Sequence, residues 1–201
     1  IGNMDIALRC GLPRSTVSRL THTLTRMGLL TYLPRDQKYR LGPGAVAMSA
    51  TILQGMQFRN LVRSKLQEVA ERIPGTVGFV APDKFDMVYL ECARTYNAVS
   101  LHSNVGTRIP IARSAAGLAY ASALSEDAGE ALFAELERVH PQDARQLRTR
   151  VAQGRKSLRK NGYVVSRGIY NEHIVGCSVP MWFEQYRTYL VVTVGVLCVM
   201  Y

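Results

Sequence analysis

The stretch from Cys10 to Leu30 constrains the fold of this chain most, because it predicts a helix that follows a tight turn. Gly11 permits the turn, and Pro13 fits the first turn of a helix, where its missing N–H leaves no hydrogen bond unmade. One face of that helix is apolar at helical spacing, with Val17, Leu20, Leu24 and Met27. The opposite face is basic and rich in hydroxyl groups, with Arg14, Ser15, Thr16, Ser18, Arg19, His22 and Arg26.

A shorter helix is expected before the turn, over Met4–Leu8, with Asn3 as its N-cap. Two helices joined by a glycine turn, the second with a basic outer face, predict a helix-turn-helix whose second helix enters the major groove of DNA. The alternative is an ordinary pair of antiparallel helices, whose basic face is only solvated.

A predicted β-hairpin follows directly and favours the helix-turn-helix. Short β-prone runs at Leu29–Leu33 and Tyr39–Leu41 flank the charged turn Pro34–Lys38. A hairpin placed directly after a DNA-reading helix is a wing. Its basic side chains are expected to lie along the phosphates, and they are Arg35, Lys38 and Arg40.

The runs GLPRSTVSRL, GLL and YRLGP resemble the winged helix of the IclR family of bacterial transcriptional regulators. The resemblance implies a DNA-binding domain at residues 1–44. Such domains begin with one more helix, which packs under the DNA-reading helix, and we expect it to be absent from this chain, which starts at Ile1. Base-edge contacts are expected from Arg14 and Arg19, and contacts to bases or phosphates from Ser15, Thr16 and Ser18.

The charge distribution supports double-stranded operator DNA as the partner. The chain carries a net charge of +10, which favours an anionic partner. Up to Gly44 the only acids are Asp5 and Asp36. The basic residues in the same segment are Arg9, Arg14, Arg19, Arg26, Arg35, Lys38 and Arg40.

Cysteine spacing argues against a zinc site and a disulfide framework, and hydropathy argues against a membrane-spanning segment. The four cysteines are far apart and show no zinc-ligand spacing: Cys10, Cys92, Cys177 and Cys198. Buried, reduced thiols in a cytoplasmic protein are therefore expected, with no cofactor. The longest apolar run, Leu190–Tyr201, is too short to span a membrane and predicts a buried strand.

A nearly uncharged helical segment, residues 45–58, follows the wing and predicts a linker helix. Its apolar surface needs a partner surface, and a second subunit is the natural candidate. We therefore expect a homodimer or a homotetramer.

Residues 59–201 predict an α+β domain with an antiparallel sheet, because strands come first, then helices, then strands again. Expected strands are Thr76–Ala81, Phe85–Ala93, Val99–His102, Tyr163–Arg167, Ile174–Met181 and Tyr189–Val199. A loop over Asn104–Arg113 is expected to lead into a helix over Ser114–Ala123, with Ser114 as its N-cap. Further expected helices are one capped by Ser125 and one over Asp143–Lys160, which Asn161-Gly162 ends. This order resembles the GAF-like effector domain of the same family, so the resemblance covers nearly the whole chain.

The start of the helix at Ser114 is the candidate ligand site. A helix start presents free N–H groups to an anion, and here the side chains above them are small. The alternative is a capped helix that packs its small residues on a strand. In the family this segment lines a pocket for small organic acids; by position, the residues carried over are Gly106, Pro110, Ser114 and Gly117, with Ala115 and Ala116 as backbone donors.

Other pocket positions depart from the family. Where the family often has an acid and a cysteine, this chain has Ser166 and Gly176, and alternation turns the next residue, Cys177, to the other sheet face. On the last strand Thr193 supplies a hydroxyl group, and Gly195 supplies none. A less polar lining favours a bulkier or more apolar ligand, such as an aromatic acid.

The sequence does not support catalysis. It contains no nucleophile elbow, no P-loop and no paired carboxylates, and its histidines are scattered. Glu91 beside Cys92 resembles a catalytic pair only superficially, and we expect a solvated carboxylate next to a buried thiol. The competing hypothesis is a GAF-like binding or enzymatic module whose N-terminal segment serves only dimerisation.

Overall fold

The computed structural model describes residues 1–56, 58–95 and 103–197. The chain divides into two compact units, Ile1–Gln57 and Phe58–Tyr201, which we call the N-terminal and C-terminal units. The strand expected at Val99–His102 and the end of the last expected strand lie outside the described residues.

Two helices joined by a left-handed glycine open the N-terminal unit. Helix α1 covers Asn3–Cys10 and helix α2 covers Arg14–Arg26. Gly11, between them, has a φ of 62°, a conformation that a residue with a side chain rarely adopts. The predicted helix-turn-helix is therefore confirmed, and α2 begins one residue after Pro13.

The expectation that Asn3 caps the first helix is wrong. Gly2 occupies the N-cap position of α1, and its N–H lies 3.3 Å from Asp5 Oδ2. Asn3 instead joins the two helices, because its Nδ2 donates to Ser18 Oγ at 3.2 Å. The side chain therefore fixes the packing of α1 on α2 rather than the start of α1.

The buried face of α2 also differs from the expected apolar stripe. Val17 is 1% exposed and Thr21 is 3% exposed, whereas Leu20 and Met27 are 49% and 63% exposed. A threonine can occupy the buried position because its hydroxyl donates to the carbonyl oxygen of Val17 at 2.9 Å. Hydroxyl-bearing Thr21 therefore replaces Leu20 in the small core of this unit.

The predicted hairpin is confirmed and leads into a third helix. Strands β1, Leu30–Leu33, and β2, Lys38–Leu41, pair antiparallel. Helix α3 then covers Pro43–Gly55 and buries none of its residues within this chain. The expected linker thus corresponds to α3 together with Phe58, which already begins the first helix of the C-terminal unit.

The C-terminal unit is α+β, as predicted. Its helices are α4, Phe58–Ala70; α5, Ala115–Ala123; α6, Glu126–Val139; and α7, Pro141–Asn161. Its strands are β3, Gly75–Asp83; β4, Asp86–Arg94; β5, Arg108–Pro110; β6, Val164–Arg167; β7, Ile174–Phe183; and β8, Thr188–Leu197. Short 3-10 turns at Ile111–Arg113 and Glu184–Tyr186 precede α5 and β8.

These six strands form one antiparallel sheet in the order β5-β4-β3-β8-β7-β6. Helix α4 covers one face, where Leu66 packs in a cluster with Phe79. Helices α5, α6 and α7 cover the other face, where Leu147 packs in a cluster with Val80 and Val191. Neighbouring residues such as Phe79 and Val80 point to opposite faces, so each face has its own core.

Local capping explains where the helices on the second face begin and end. Ser114 Oγ accepts a hydrogen bond from the Gly117 N–H at 3.0 Å, and Ser125 Oγ accepts one from the Ala128 N–H at 3.3 Å. Gly162 ends α7 with a φ of 79°. All three caps were predicted, because capping depends on residues close in sequence.

Candidate functional site

The outer face of α2 is an exposed basic surface. Arg14, Ser15, Thr16 and Arg19 are all exposed, and so is His22. Ser18 is exposed as well, but its hydroxyl accepts the hydrogen bond from Asn3. The arginines of α2 form no ion pair among the residues that the structure describes, since the ion pairs found there all lie in the C-terminal unit.

The hairpin presents a second group of exposed cations. Lys38 and Arg40 lie two residues apart on β2 and therefore share one face of the strand. Arg35 is exposed in the turn between β1 and β2. Tyr32 and Tyr39 stabilise the hairpin as a cross-strand pair, with ring centroids 5.0 Å apart. The hairpin therefore carries three exposed basic side chains on a pair of strands that the two tyrosines stabilise.

A cavity lies between the start of α5 and the sheet in the C-terminal unit. Its water-accessible volume is about 50 Å³, and the space free of protein atoms is about 490 Å³ when the open solvent at its mouth is counted. The lining residues come from both sides of the gap: Tyr89, Ser103, Ile109, Arg113, Ser114, Ala115, Ala116, Ser166, Ile169, Tyr170, Ile174, Gly176, Thr193, Val194 and Gly195. Hydroxyl groups and apolar surface thus share the wall, while none of the described lining residues is Asp or Glu.

The structure brings most of the sequence-predicted ligand residues to this cavity. Those that line it are Ser114, Ala115, Ala116, Ser166, Gly176, Thr193 and Gly195. Cys177 does not line it. A Cβ atom on Gly176 would lie 2.7 Å from Ala115 Cβ, so a glycine there keeps β7 and α5 close together.

Three predicted ligand residues do not line the cavity, and each has another role. Gly117 lets α5 approach the preceding 3-10 turn, because a Cβ atom there would lie 2.1 Å from the Ile111 carbonyl oxygen. Gly106 has a φ of 86°, and its N–H donates to the Tyr89 carbonyl oxygen at 2.8 Å. Pro110 pairs with Asp86 at the edge of the sheet. All three residues therefore determine the backbone path of the segment near the cavity, and other residues form its wall.

The start of α5 supplies donors that suit an anion. Its first-turn N–H groups have no acceptor within the helix, and the dipole makes this end positive. Ser114 satisfies the N–H of Gly117, while Ala115 and Ala116 lie at the cavity wall with methyl groups only. Arg113 also lines the cavity, where the ion pair with Asp143 at 2.8 Å largely balances its charge.

Tyr89 is the main lining residue that sequence reasoning missed. Burial raises the pKa of its phenol above the usual range, and a hydrogen bond with Ser103 acts in the opposite direction. Gly78 makes space for the ring, since a Cβ atom there would lie 2.2 Å from a ring carbon of Tyr89. The sequence did contain a signal for this position: Tyr89 lies two residues after the apolar Met87 on β4, and strand alternation places both on the same buried face.

Other missed lining residues are Ser103, Ile109, Arg113, Ile169, Tyr170, Ile174 and Val194. Thr193, which was predicted, is not fully free, because its hydroxyl lies 2.7 Å from the hydroxyl of Ser178 across the strand pair. Both hydroxyl groups are buried. The Thr193 hydroxyl at the cavity wall is therefore held in place by Ser178 behind it on the neighbouring strand.

Glu91 and Cys92 form no catalytic pair, and the expectation that Glu91 is solvated is wrong. Its side chain is buried and its carboxylate lies 2.9 Å from the guanidinium of Arg59 on α4. Burial raises the pKa of the Cys92 thiol, which disfavours the nucleophilic thiolate. Within the described ranges we find no group of three or more metal-ligating side chains, and no helix long and apolar enough to cross a membrane.

Comparison with known protein families identifies the family to which this chain belongs. Residues 1–34 match the IclR helix-turn-helix domain, and residues 50–199 match the C-terminal domain of the bacterial transcriptional regulator IclR. A helix-turn-helix unit followed by an α+β unit with its own cavity defines a two-part transcriptional regulator. The matched domains cover most of the chain, and the chain therefore belongs to the IclR family.

Individual relatives agree in sequence and fold. The HTH-type transcriptional regulator TsaQ1/TsaQ2 of Comamonas testosteroni is 26% identical over 183 residues, which is 90% of this chain and 66% of that protein. The crystal structure of an IclR family transcriptional regulator from Brucella abortus is 28% identical with a TM-score of 0.87, over 98% of this chain and 74% of that one.

A third relative was solved with a ligand. It is an IclR homolog from Microbacterium hydrocarbonoxydans complexed with 4-hydroxybenzoate, 23% identical with a TM-score of 0.70. The alignment covers 100% of this chain and 82% of that one. At this identity the comparison establishes the shared fold.

Proposed function

We propose that this protein binds double-stranded operator DNA through its winged helix and senses a small organic acid, of aromatic type, in the cavity of its C-terminal unit. The observation that carries the proposal is the cavity, in which the start of α5 faces a wall without Asp or Glu among the described residues. Because the protein would act on operator DNA, we place it in the cytoplasm.

The exposed cations support the DNA-binding part of the proposal. Arg14 and Arg19 are the candidates for contacts to base edges, since a guanidinium pairs with guanine in the major groove. Hydroxyl groups on the same face, on Ser15, Thr16 and Ser18, would contact bases or phosphates. Arg35, Lys38 and Arg40 would contact the phosphates of the DNA backbone.

Ligand chemistry follows from the wall of the cavity. The carboxylate would lie at the N–H groups of Ala115 and Ala116, where the helix dipole favours negative charge. The ring would extend towards Tyr89, Tyr170 and Ile174, which supply aromatic and aliphatic surface. The complex of the Microbacterium relative with 4-hydroxybenzoate supports an aromatic acid as the class of ligand.

A thermal-shift comparison of two matched compounds tests this part. We expect 4-hydroxybenzoate to raise the melting temperature, because a ligand at 100 times its Kd stabilises the folded state by about 2.7 kcal/mol. The neutral 4-hydroxybenzyl alcohol, of similar shape, should produce a smaller shift at the same concentration. If a panel of aliphatic and aromatic acids leaves the melting temperature unchanged, the protein does not sense organic acids.

The apolar surface of α3 supports the proposed homodimer or homotetramer. Met48 and Ile52 lie four residues apart, on one face of this helix, and are 52% and 54% exposed; the helix carries no charged residue. A second copy of α3 would cover this surface and fix the spacing of two winged helices on a palindromic site.

Light scattering at micromolar concentration is expected to give at least twice the mass of one chain. Ile52→Glu should lower that mass, since it places a charge in the apolar surface formed by Met48 and Ile52. Gln54→Glu on the same helix is the control, because it changes an exposed residue that is already polar. A wild-type monomer would contradict the proposed assembly.

A further inference from the structure

Arg150 is an arginine of α7 that donates to Ser166, a residue lining the cavity, and has no carboxylate partner among the described residues. Its Nη1 donates to the Ala112 carbonyl oxygen at 3.2 Å, and its Nη2 donates to Ser166 Oγ at 2.9 Å. By contrast, Arg59 and Arg113 each have a carboxylate within 2.9 Å. Arg150 forms no ion pair among the described residues, and burial lowers the pKa of its guanidinium.

A partly buried charge that has only neutral partners is costly, and an anion nearby would offset that cost. Ser166 connects Arg150 to the place where such an anion would bind. It is 8% exposed and lines the cavity, and its hydrogen bond in the described part of the chain is the one it accepts from Arg150. The hydroxyl hydrogen is therefore left to donate into the cavity.

Strand pairing places this hydroxyl beside the start of α5. Ser166 is paired with Gly176 across β6 and β7, and Gly176 lies against Ala115. The hydroxyl group and the first-turn N–H groups thus border the same end of the cavity. A carboxylate there would accept from both.

We propose that Arg150 is a positioning residue that gives the cavity its selectivity for carboxylates, acting through Ser166. The guanidinium donates to Ser166 Oγ, which polarises the hydroxyl group and orients its hydrogen towards the ligand. Its positive charge favours the anionic form of the effector over a neutral analogue of the same shape. The inference rests on the proposed function, because it requires an organic acid in this cavity.

The test compares binding of 4-hydroxybenzoate and of its neutral amide, 4-hydroxybenzamide, by calorimetry on the full chain. Arg150→Gln keeps donors that can reach neighbouring oxygens but removes the charge. We expect it to weaken binding of the acid by about tenfold or more and to leave binding of the amide nearly unchanged. Arg150→Lys, which retains the charge, should restore part of the lost affinity.

Two further variants keep the result interpretable. Arg155→Gln removes the same charge from the same helix at a position away from the cavity, where the guanidinium faces Glu126 at 3.9 Å, and it should bind the acid like the wild type. Ser166→Ala is a small change that should also lower affinity for the acid more than for the amide, even if Arg150→Gln folds poorly.

The outcomes separate this inference from the proposed function. Equal loss of acid and amide binding in Arg150→Gln and Ser166→Ala would show that the pair has only a structural role. Unchanged acid binding in both variants would also overturn the inference, while the acid-sensing proposal would survive. If the wild type binds neither aromatic nor aliphatic acids, the proposed function itself fails, and this inference fails with it.

Discussion

Gly117→Ala is expected to destabilise the C-terminal unit by about 3 kcal/mol, at the upper end of what an added methyl group costs in a packed site. The new Cβ atom would lie 2.1 Å from the carbonyl oxygen of Ile111 and 2.3 Å from its Cα. These are backbone atoms, so no side-chain rotation can relieve the clash. Helix α5 would have to move away from the 3-10 turn, and the wall of the cavity would move with it.

Urea unfolding followed by tryptophan fluorescence measures this effect. The chain contains a single tryptophan, Trp182, which lies on β7 and therefore reports on the C-terminal unit. Gly129→Ala is the matched control, since its Cβ atom would lie 3.4 Å from the flexible end of Arg155. Alanine inside helix α6 should stabilise by about 0.5–1 kcal/mol. Equal stability of the two variants would show that α5 is not held against the turn.

Gly117 also shows where sequence reasoning reaches its limit. A glycine in the first turn of a helix suits the close approach of a ligand and the close approach of another backbone segment equally well. The sequence around it cannot separate the two, because Ile111 reaches Gly117 only through the bend of the 3-10 turn. The caps at Ser114, Ser125 and Gly162 were predictable because they depend on neighbours within four residues.

Strand β5 was missed because its stability depends on distant residues. It has only three residues, and sequence analysis treated them as part of a loop. Arg108 holds it to the hairpin of β3 and β4 through Asp83 at 2.6 Å and Asp86 at 2.9 Å. A local sequence pattern cannot predict ion pairs between residues more than twenty positions apart. The edge strand β5 was therefore identified only in the structure.

The cavity shows the same division between local and distant signals. Ser166, Gly176 and Thr193 were predicted because strand alternation and the family resemblance mark them on their own strands. Tyr89, which lines the cavity from β4, and Arg150, which donates to Ser166 from α7, were not predicted. In the sheet, only β3 separates β4, which carries Tyr89, from β8, which carries Thr193. Helix α7 packs so that Arg150 donates to Ser166 on β6.

Arg19→Ala is expected to weaken binding to the specific operator by about 1–3 kcal/mol, which is roughly 5- to 150-fold. Arg19 is exposed on the same helix as Ser15 and Thr16, and none of the ion pairs in the described residues uses it. Its side chain is therefore available to a base edge. Because it contributes little to the core, the free energy of unfolding should change by less than about 0.5 kcal/mol.

The measurement is a binding isotherm for the full-length protein on DNA that it has itself selected from a random pool, repeated at several salt concentrations. Lys160→Ala controls for net charge, because it removes one exposed cation at the end of α7 in the C-terminal unit. Lys38→Ala on the wing should weaken binding to all sequences alike and reduce the salt slope by about 1, as a phosphate contact does.

Arg19→Ala should instead reduce the preference for the selected sequence over random DNA, since a base contact carries the sequence information. This difference between the two variants is what separates a helix in the major groove from a basic surface that attracts DNA without reading it. If Arg19→Ala and Lys38→Ala lower specific and random binding by the same factor, α2 does not read bases. If Arg19→Ala leaves both affinities unchanged, α2 does not enter the groove.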